Sequence, residues 1–265
     1  MSLTSDEAGS NSGQPGAAEP VTAGGHTLLF YGQVESLDPA LHADLALSDA
    51  VKSYAFARPT NSVPLNALEF MSSARHYPIL FNGDERGMPL ALVGLRSHEN
   101  LFVEDGGIWA EGCYIPAFVR RYPFVLLNGD DSDAISLCFD PTAEQIQSGG
   151  AQALFEGGNP SGLLKSVAKF CASYAREQNG TRRFVAALRE ADVLIDRTVD
   201  IALRDGEKVA MRGFRVIDET KLKALPDEVI VEWWRNGWMA AIHAHMVSLG
   251  NFGRLYVRAG GRGEL

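Results

Sequence analysis

The chain has 265 residues, 46% of them hydrophobic and 22% charged, enough to bury a substantial core in one large domain or two small ones. Its formal net charge of −9 repels phosphate backbones and anionic lipid headgroups, which argues against nucleic-acid binding and electrostatic membrane docking. Cys113, Cys138 and Cys171 are widely spaced and form no CxxC or Cys/His zinc pattern, so they read as buried thiols in a reducing compartment.

Residues 1–25 are rich in Gly, Ser, Ala and Pro, which predicts a disordered tail. The same stretch has neither a basic n-region nor an apolar h-region. No apolar run approaches the roughly 18–20 residues a membrane span needs. The expectation is a soluble, cytoplasmic chain with no membrane span, any surface association depending on another route. One domain is expected over 26–258, with a loose tail at 259–265.

Order is expected from Thr27–Tyr31, a short β-like run, and 37–47 reads as irregular or weakly helical. From Ser62 the pattern becomes strand-like, with Val63–Leu65 and Ala67–Phe70 as short apolar pieces. Tyr77–Phe81 and Leu90–Leu95 are predicted strands, joined by the turn residues of 82–87. Leu101–Val103 would add a third before the turn at Asp105-Gly106-Gly107. Tyr114–Tyr122 reads as a short helix entered at Pro116 and stopped by Pro123. Phe124–Leu127 and Ala134–Phe139 read as strands around the acidic turn Asn128–Asp133, and 141–160 as loop or weak helix.

Leu163, Val167, Phe170 and Tyr174 recur at helical spacing and predict a helix over Leu163–Glu177. Asn179-Gly180 would end it, and Thr181 would cap a second helix over Arg182–Ala191. Arg197–Leu203 and Lys208–Val216 form a predicted hairpin around Asp205-Gly206. A long helix is predicted over about 227–249, with Ile230, Trp234, Trp238, Ala241, Ile242, His245 and Leu249 as its apolar stripe. Gly237 within it suggests close approach by another element. The fold class is therefore α+β: an antiparallel meander over about 76–140 plus the hairpin at 197–217, packed with helices.

No complete catalytic, metal or nucleotide motif is present, so no catalytic residue, metal ligand or cofactor is assigned. His243 and His245 are two apart and point to different sides of a helix, unlike a zinc pair. They read as a surface and a core histidine. Glu69, Glu104, Asp105 and Glu111 are acid–base candidates that nothing in the sequence brings together. The unusual segment is 109–124, WAEGCYIPAFVRRYPF, with its adjacent arginines among aromatic residues. Arg120 and Arg121 are suited to clamp a carboxylate or phosphate, to stack on Phe118 or Tyr122 as structural cations, or to form a protein-binding hot spot. Neighbours on a helix diverge by about 100°, so one arginine at most faces a given site. Glu232-Trp233-Trp234-Arg235 raises the same question, and there an exposed Trp233 would favour a homo-oligomer interface.

Several segments resemble the bacterial SapC family: FYGQVESLDPALHADLAL (30–47), NSVPLNALEF (61–70), ARHYPILFNG (74–83), the run 89–126 containing YIPAFVRRYPF, and 213–255 with LPDE and SLGNF. The resemblance implies association with bacterial surface layers, and gene neighbourhoods with TonB-dependent receptors and with halogenase-like and cupin-like proteins. It carries over no catalytic residue. The expected function is that of a non-enzymatic accessory or binding protein for cell-surface or outer-membrane uptake machinery. Its protein partner would be a TonB-dependent receptor, a surface-layer protein or a halogenase-like protein. The recognition candidates are Tyr114, Phe118, Arg120, Arg121 and Tyr122, with Glu69 and His76. The alternative is an enzyme acting on a small anionic or peptidic substrate. An arginine would then hold the substrate carboxylate, and Glu69, His76 or Glu111 would move protons.

Overall fold

The computed structural model describes residues 22–23, 26–48, 52–128, 135–203, 206 and 208–260. Residues 129–133 of the acidic turn and Ala134 of the strand after it therefore lie outside the described residues, as do Asp205, residues 261–265 of the loose tail, and all of the N-terminal tail but 22–23. Among the described residues there are seven α-helices: α1 (Phe70–Ser73), α2 (Ala117–Arg120), α3 (Gly162–Glu190), α4 (Glu219–Lys223), α5 (Asp227–Arg235), α6 (Trp238–Ser248) and α7 (Asn251–Arg258).

The main sheet has five antiparallel strands in the order Leu194–Ala202, Lys208–Ile217, Ile79–Asn82, Pro89–Leu92, Ser62–Pro64. The prolines stand where a missing N–H is tolerated: Pro64 in an edge strand and Pro89 at the start of its strand. The predicted hairpin forms and runs further back, to Leu194. It bulges where Arg197 opposes Phe214 and Val199 opposes Met211. Gly213, at φ 74°, supplies the left-handed residue there, and its carbonyl accepts the Gly83 N–H at 2.8 Å.

The predicted strands at 124–139 do form, yet they pair with Glu35–Ser36 in a separate three-stranded sheet. Residues 141–160 are loop only in part, and no helix forms there. Ile146–Ser148 and Gln152–Ala153 flank Leu45–Leu47, and Phe155–Glu156 pairs with Asn159–Pro160. Polar residues mask such short strands, because their pairing partner lies some hundred positions away (Ile146 opposes Leu47). Leu101–Val103 is not a full strand: one bridge joins Val103 to Trp109, and the Asn100 side chain draws the chain into a turn by accepting the Phe102 N–H. Ala67–Phe70 turns helical, and of Thr27–Tyr31 only Thr27 is in a strand.

Helix α3 runs unbroken through Asn179-Gly180. Thr181 caps nothing; it is buried, bonds back to the Glu177 carbonyl and accepts the Ala67 N–H at 2.9 Å. Tertiary docking overrides the local stop signal there. One face of α3 belongs to both major apolar clusters. Leu164 and Cys171 join Phe124, Phe139, Leu154 and Phe155, whereas Tyr174, Phe184, Val185 and Leu188 join the main core with Phe70, Tyr77 and Phe81.

The long C-terminal helix is broken. Gly237, at φ 74°, ends α5, and a Cβ built there meets nothing within 4 Å. The glycine therefore serves a left-handed turn, not close approach. The break resets the helical phase, so Trp233 is buried at 2% exposure and Trp234 stands out at 74%. Both the stripe through Trp234 and an oligomer interface built on Trp233 fail on this point.

Candidate functional site

Segment 114–122 is held by buried polar anchors. Asn66 and Ala67 dock on α3, Asn66 Nδ2 donating to the Tyr174 carbonyl at 3.4 Å. From the next turn the Glu69 carboxylate reaches back to the Asn66 N–H at 3.0 Å, the glutamate half of a capping box. Its other oxygen accepts the Ala117 N–H at 2.7 Å and the Tyr114 hydroxyl at 3.0 Å. One glutamate thus ties the start of α2 to the turn before α1. Tyr77, itself accepting from Trp109 Nε1 at 3.0 Å, donates its hydroxyl to the Tyr114 carbonyl.

The two arginines diverge, as helical geometry requires. Arg120 is exposed and lies over the rings of Tyr114 (5.7 Å) and Phe170 (5.2 Å). Its Nη2 donates to the Tyr114 hydroxyl at 3.2 Å and its Nε to the Ile115 carbonyl at 3.0 Å. Burial, then the Glu69 charge, raises the Tyr114 pKa, so the phenol stays a neutral link between arginine and glutamate. Arg121 turns inward and is half-buried, its guanidinium carbon 4.3 Å from the Phe118 ring centre and 4.8 Å from that of Tyr174. Tyr122 stacks on Phe56 at 4.0 Å and donates to Asp140 at 3.3 Å.

Asp140 is a structural residue that the sequence reading passed over. It is fully buried, and accepts from the Gly32 N–H (2.7 Å), the Thr142 N–H (2.9 Å), the Thr142 hydroxyl (2.6 Å) and Tyr122. The signal was present as Asp140-Pro141-Thr142, an Asx-type pattern that reads as an ordinary turn.

The remaining candidates do not gather. His76 is half-buried among Arg75, Arg254 and Arg258; burial and then those charges lower its pKa. Glu104, Asp105 and Glu111 are exposed, and no hydrogen bond or ion pair joins Glu111 or His76 to Glu69. A surface recess lies instead along α5, lined by Asp227, Glu228, Val231, Glu232, Arg235 and Asn236, and includes no residue of 114–122. Among the described residues, no group of three or more His, Cys, Asp or Glu side chains is placed to hold a metal ion. No helix among them is long and apolar enough to cross a membrane.

The fold and site define an open-sheet α+β protein that presents an arginine–aromatic ledge fastened by a buried glutamate. The SapC family model matches residues 37–255, and the chain belongs to that family. No curated protein and no solved structure matches it.

Proposed function

We propose that this SapC-family chain is a non-enzymatic accessory protein of bacterial cell-surface or outer-membrane uptake machinery, with segment 114–122 as its recognition element. The observation that carries the reading is the ledge itself: exposed Arg120 fixed on the rings of Tyr114 and Phe170, beside the half-buried Arg121. Arginines backed by aromatic rings are typical binding hot spots. Glu69, the one acid on the ledge, accepts three hydrogen bonds that hold the backbone, which suits a scaffold better than proton transfer. The partner on this reading is a TonB-dependent receptor, a surface-layer protein or a halogenase-like protein.

The test is affinity purification of the tagged chain from its native cells, with separate cytosolic, periplasmic and envelope fractions and mass spectrometry. The wild type is expected to recover one such protein in stoichiometric amount. Arg120→Ala together with Arg121→Ala is expected to reduce that recovery, with an unchanged circular-dichroism spectrum. Equal recovery by the folded variant overturns the assignment.

A further inference from the structure

The two arginines of the ledge differ in what they still lack. Arg120 donates to two oxygens. Arg121 donates to none among the described residues, and its Nε is out of solvent without an acceptor. The nearby carboxylates do not serve it. Glu69 is occupied by Asn66, Ala117 and Tyr114, and Asp140 by Gly32, Thr142 and Tyr122. This is unusual in a chain with 33 acidic and 24 basic side chains.

The surroundings make the omission costly. Tyr31, Cys171 and Tyr174 are each at most 5% exposed. All three feel the Arg121 charge, which offsets part of the upward shift that burial gives their pKa values, and the Tyr174 ring centre is 4.8 Å from the guanidinium carbon. The rings of Phe118 and Tyr174 compensate in part through cation–π contacts. Rings, however, offer nothing to five N–H donors that point outward in the guanidinium plane. A buried guanidinium Nε–H with no acceptor among the described residues calls for an explanation, and a ligand that supplies the acceptor is one.

We infer that Arg121 is a receptor for a carboxylate supplied from outside the chain. The inference rests on the reading of 114–122 as the recognition element, and names the chemistry that it recognises. Phe118 and Tyr174 lie against the guanidinium, which leaves its in-plane N–H donors to an incoming group. A planar, two-oxygen group matches the fork with paired charge-assisted hydrogen bonds; a halide offers a single atom, and a phosphate dianion fits the fork but costs more to strip of water beside the Phe118 and Tyr174 rings. Two sources carry this group: an acidic side chain or C-terminus of a protein partner, and a small organic acid.

The experiment is an NMR titration of the full chain, following arginine Nε–H resonances. The probes are sodium acetate, sodium benzoate, inorganic phosphate and an end-blocked peptide containing one Asp, against sodium chloride at constant ionic strength. One Nε–H resonance, absent in Arg121→Lys and retained in Arg120→Lys, is expected to shift saturably with the carboxylates and not with chloride. Arg121→Lys is expected to weaken carboxylate binding by about tenfold or more, since it keeps the charge and loses the fork, and Arg120→Lys by less than about twofold. Tighter binding of the peptide than of benzoate identifies a protein source, and the reverse identifies a small acid. No saturable shift, or an equal one with phosphate or chloride, overturns the inference. If Arg121→Lys does not fold, the wild-type titration with Arg120→Lys still assigns the resonance by elimination. Failure here leaves the accessory role standing, because that role is read from partner recovery.

Discussion

Four donor groups converge on Asp140 and three on Glu69, and among the described residues neither carboxylate has a Lys or Arg within ion-pair distance. Buried acids met by neutral N–H and O–H donors act as junctions between distant chain segments. His245 is the basic counterpart. It is fully buried, and its Nε2 accepts the Ile217 N–H at 3.1 Å. Burial lowers its pKa from 6.5 to about 4. The folded chain therefore keeps the ring neutral at pH values where the unfolded chain binds a proton. The stability gained is complete above pH 6.5 and is lost as pH falls toward about 4. The loss across that window is roughly 3 kcal/mol at one proton per chain. Urea denaturation at pH 7.5 and pH 4.5 is expected to show it as a lower midpoint at acid pH, and His245→Gln is expected to flatten the dependence. An unchanged slope in that variant would assign the acid lability elsewhere.

Elements whose signals are local were legible in the sequence. The pair Ile79–Asn82 and Pro89–Leu92, and the hairpin after Leu194, follow from apolar runs around glycine turns. The short α2 follows from Pro116 and Pro123. The site was legible as composition and not as arrangement. The arginine–aromatic segment is evident in the letters, whereas the burial of Glu69 beneath it depends on Asn66 meeting α3, 108 residues away. Two helix boundaries differ in opposite directions. The sequence places a stop at Gly180, which is ordinary helix because Thr181 is needed for docking; it places Gly237 inside a helix, where Gly237 is the stop. Gly237→Ala places a Cβ in the left-handed region with no clash to relieve, at a cost of about 1–2 kcal/mol. Chemical denaturation is expected to show that loss, and Gly180→Ala is expected to be neutral or stabilising, since Ala favours helix over Gly by about 1 kcal/mol.

At the scale of the whole molecule, α3 is shared property. At about 1.5 Å per residue its 29 residues span roughly 43 Å, and its fully buried residues serve one apolar cluster up to Cys171 and the other from Tyr174 onward, with half-buried Phe170 already on the second. Neither cluster keeps its packing if the helix melts. Thermal unfolding is therefore expected as one transition, coincident by near-ultraviolet and far-ultraviolet circular dichroism, whereas two separate transitions would divide the chain into two domains.

The crossover on that helix falls between Cys171 and Tyr174, one turn apart, and Tyr174 is the ring beneath the Arg121 guanidinium. The Arg121 guanidinium thus sits at a seam, where the two halves of the interior meet along a single rod. An anion seated there would act as a rivet. By mass action it would raise the resistance of both halves to opening, and amide exchange would slow on either side of residue 172.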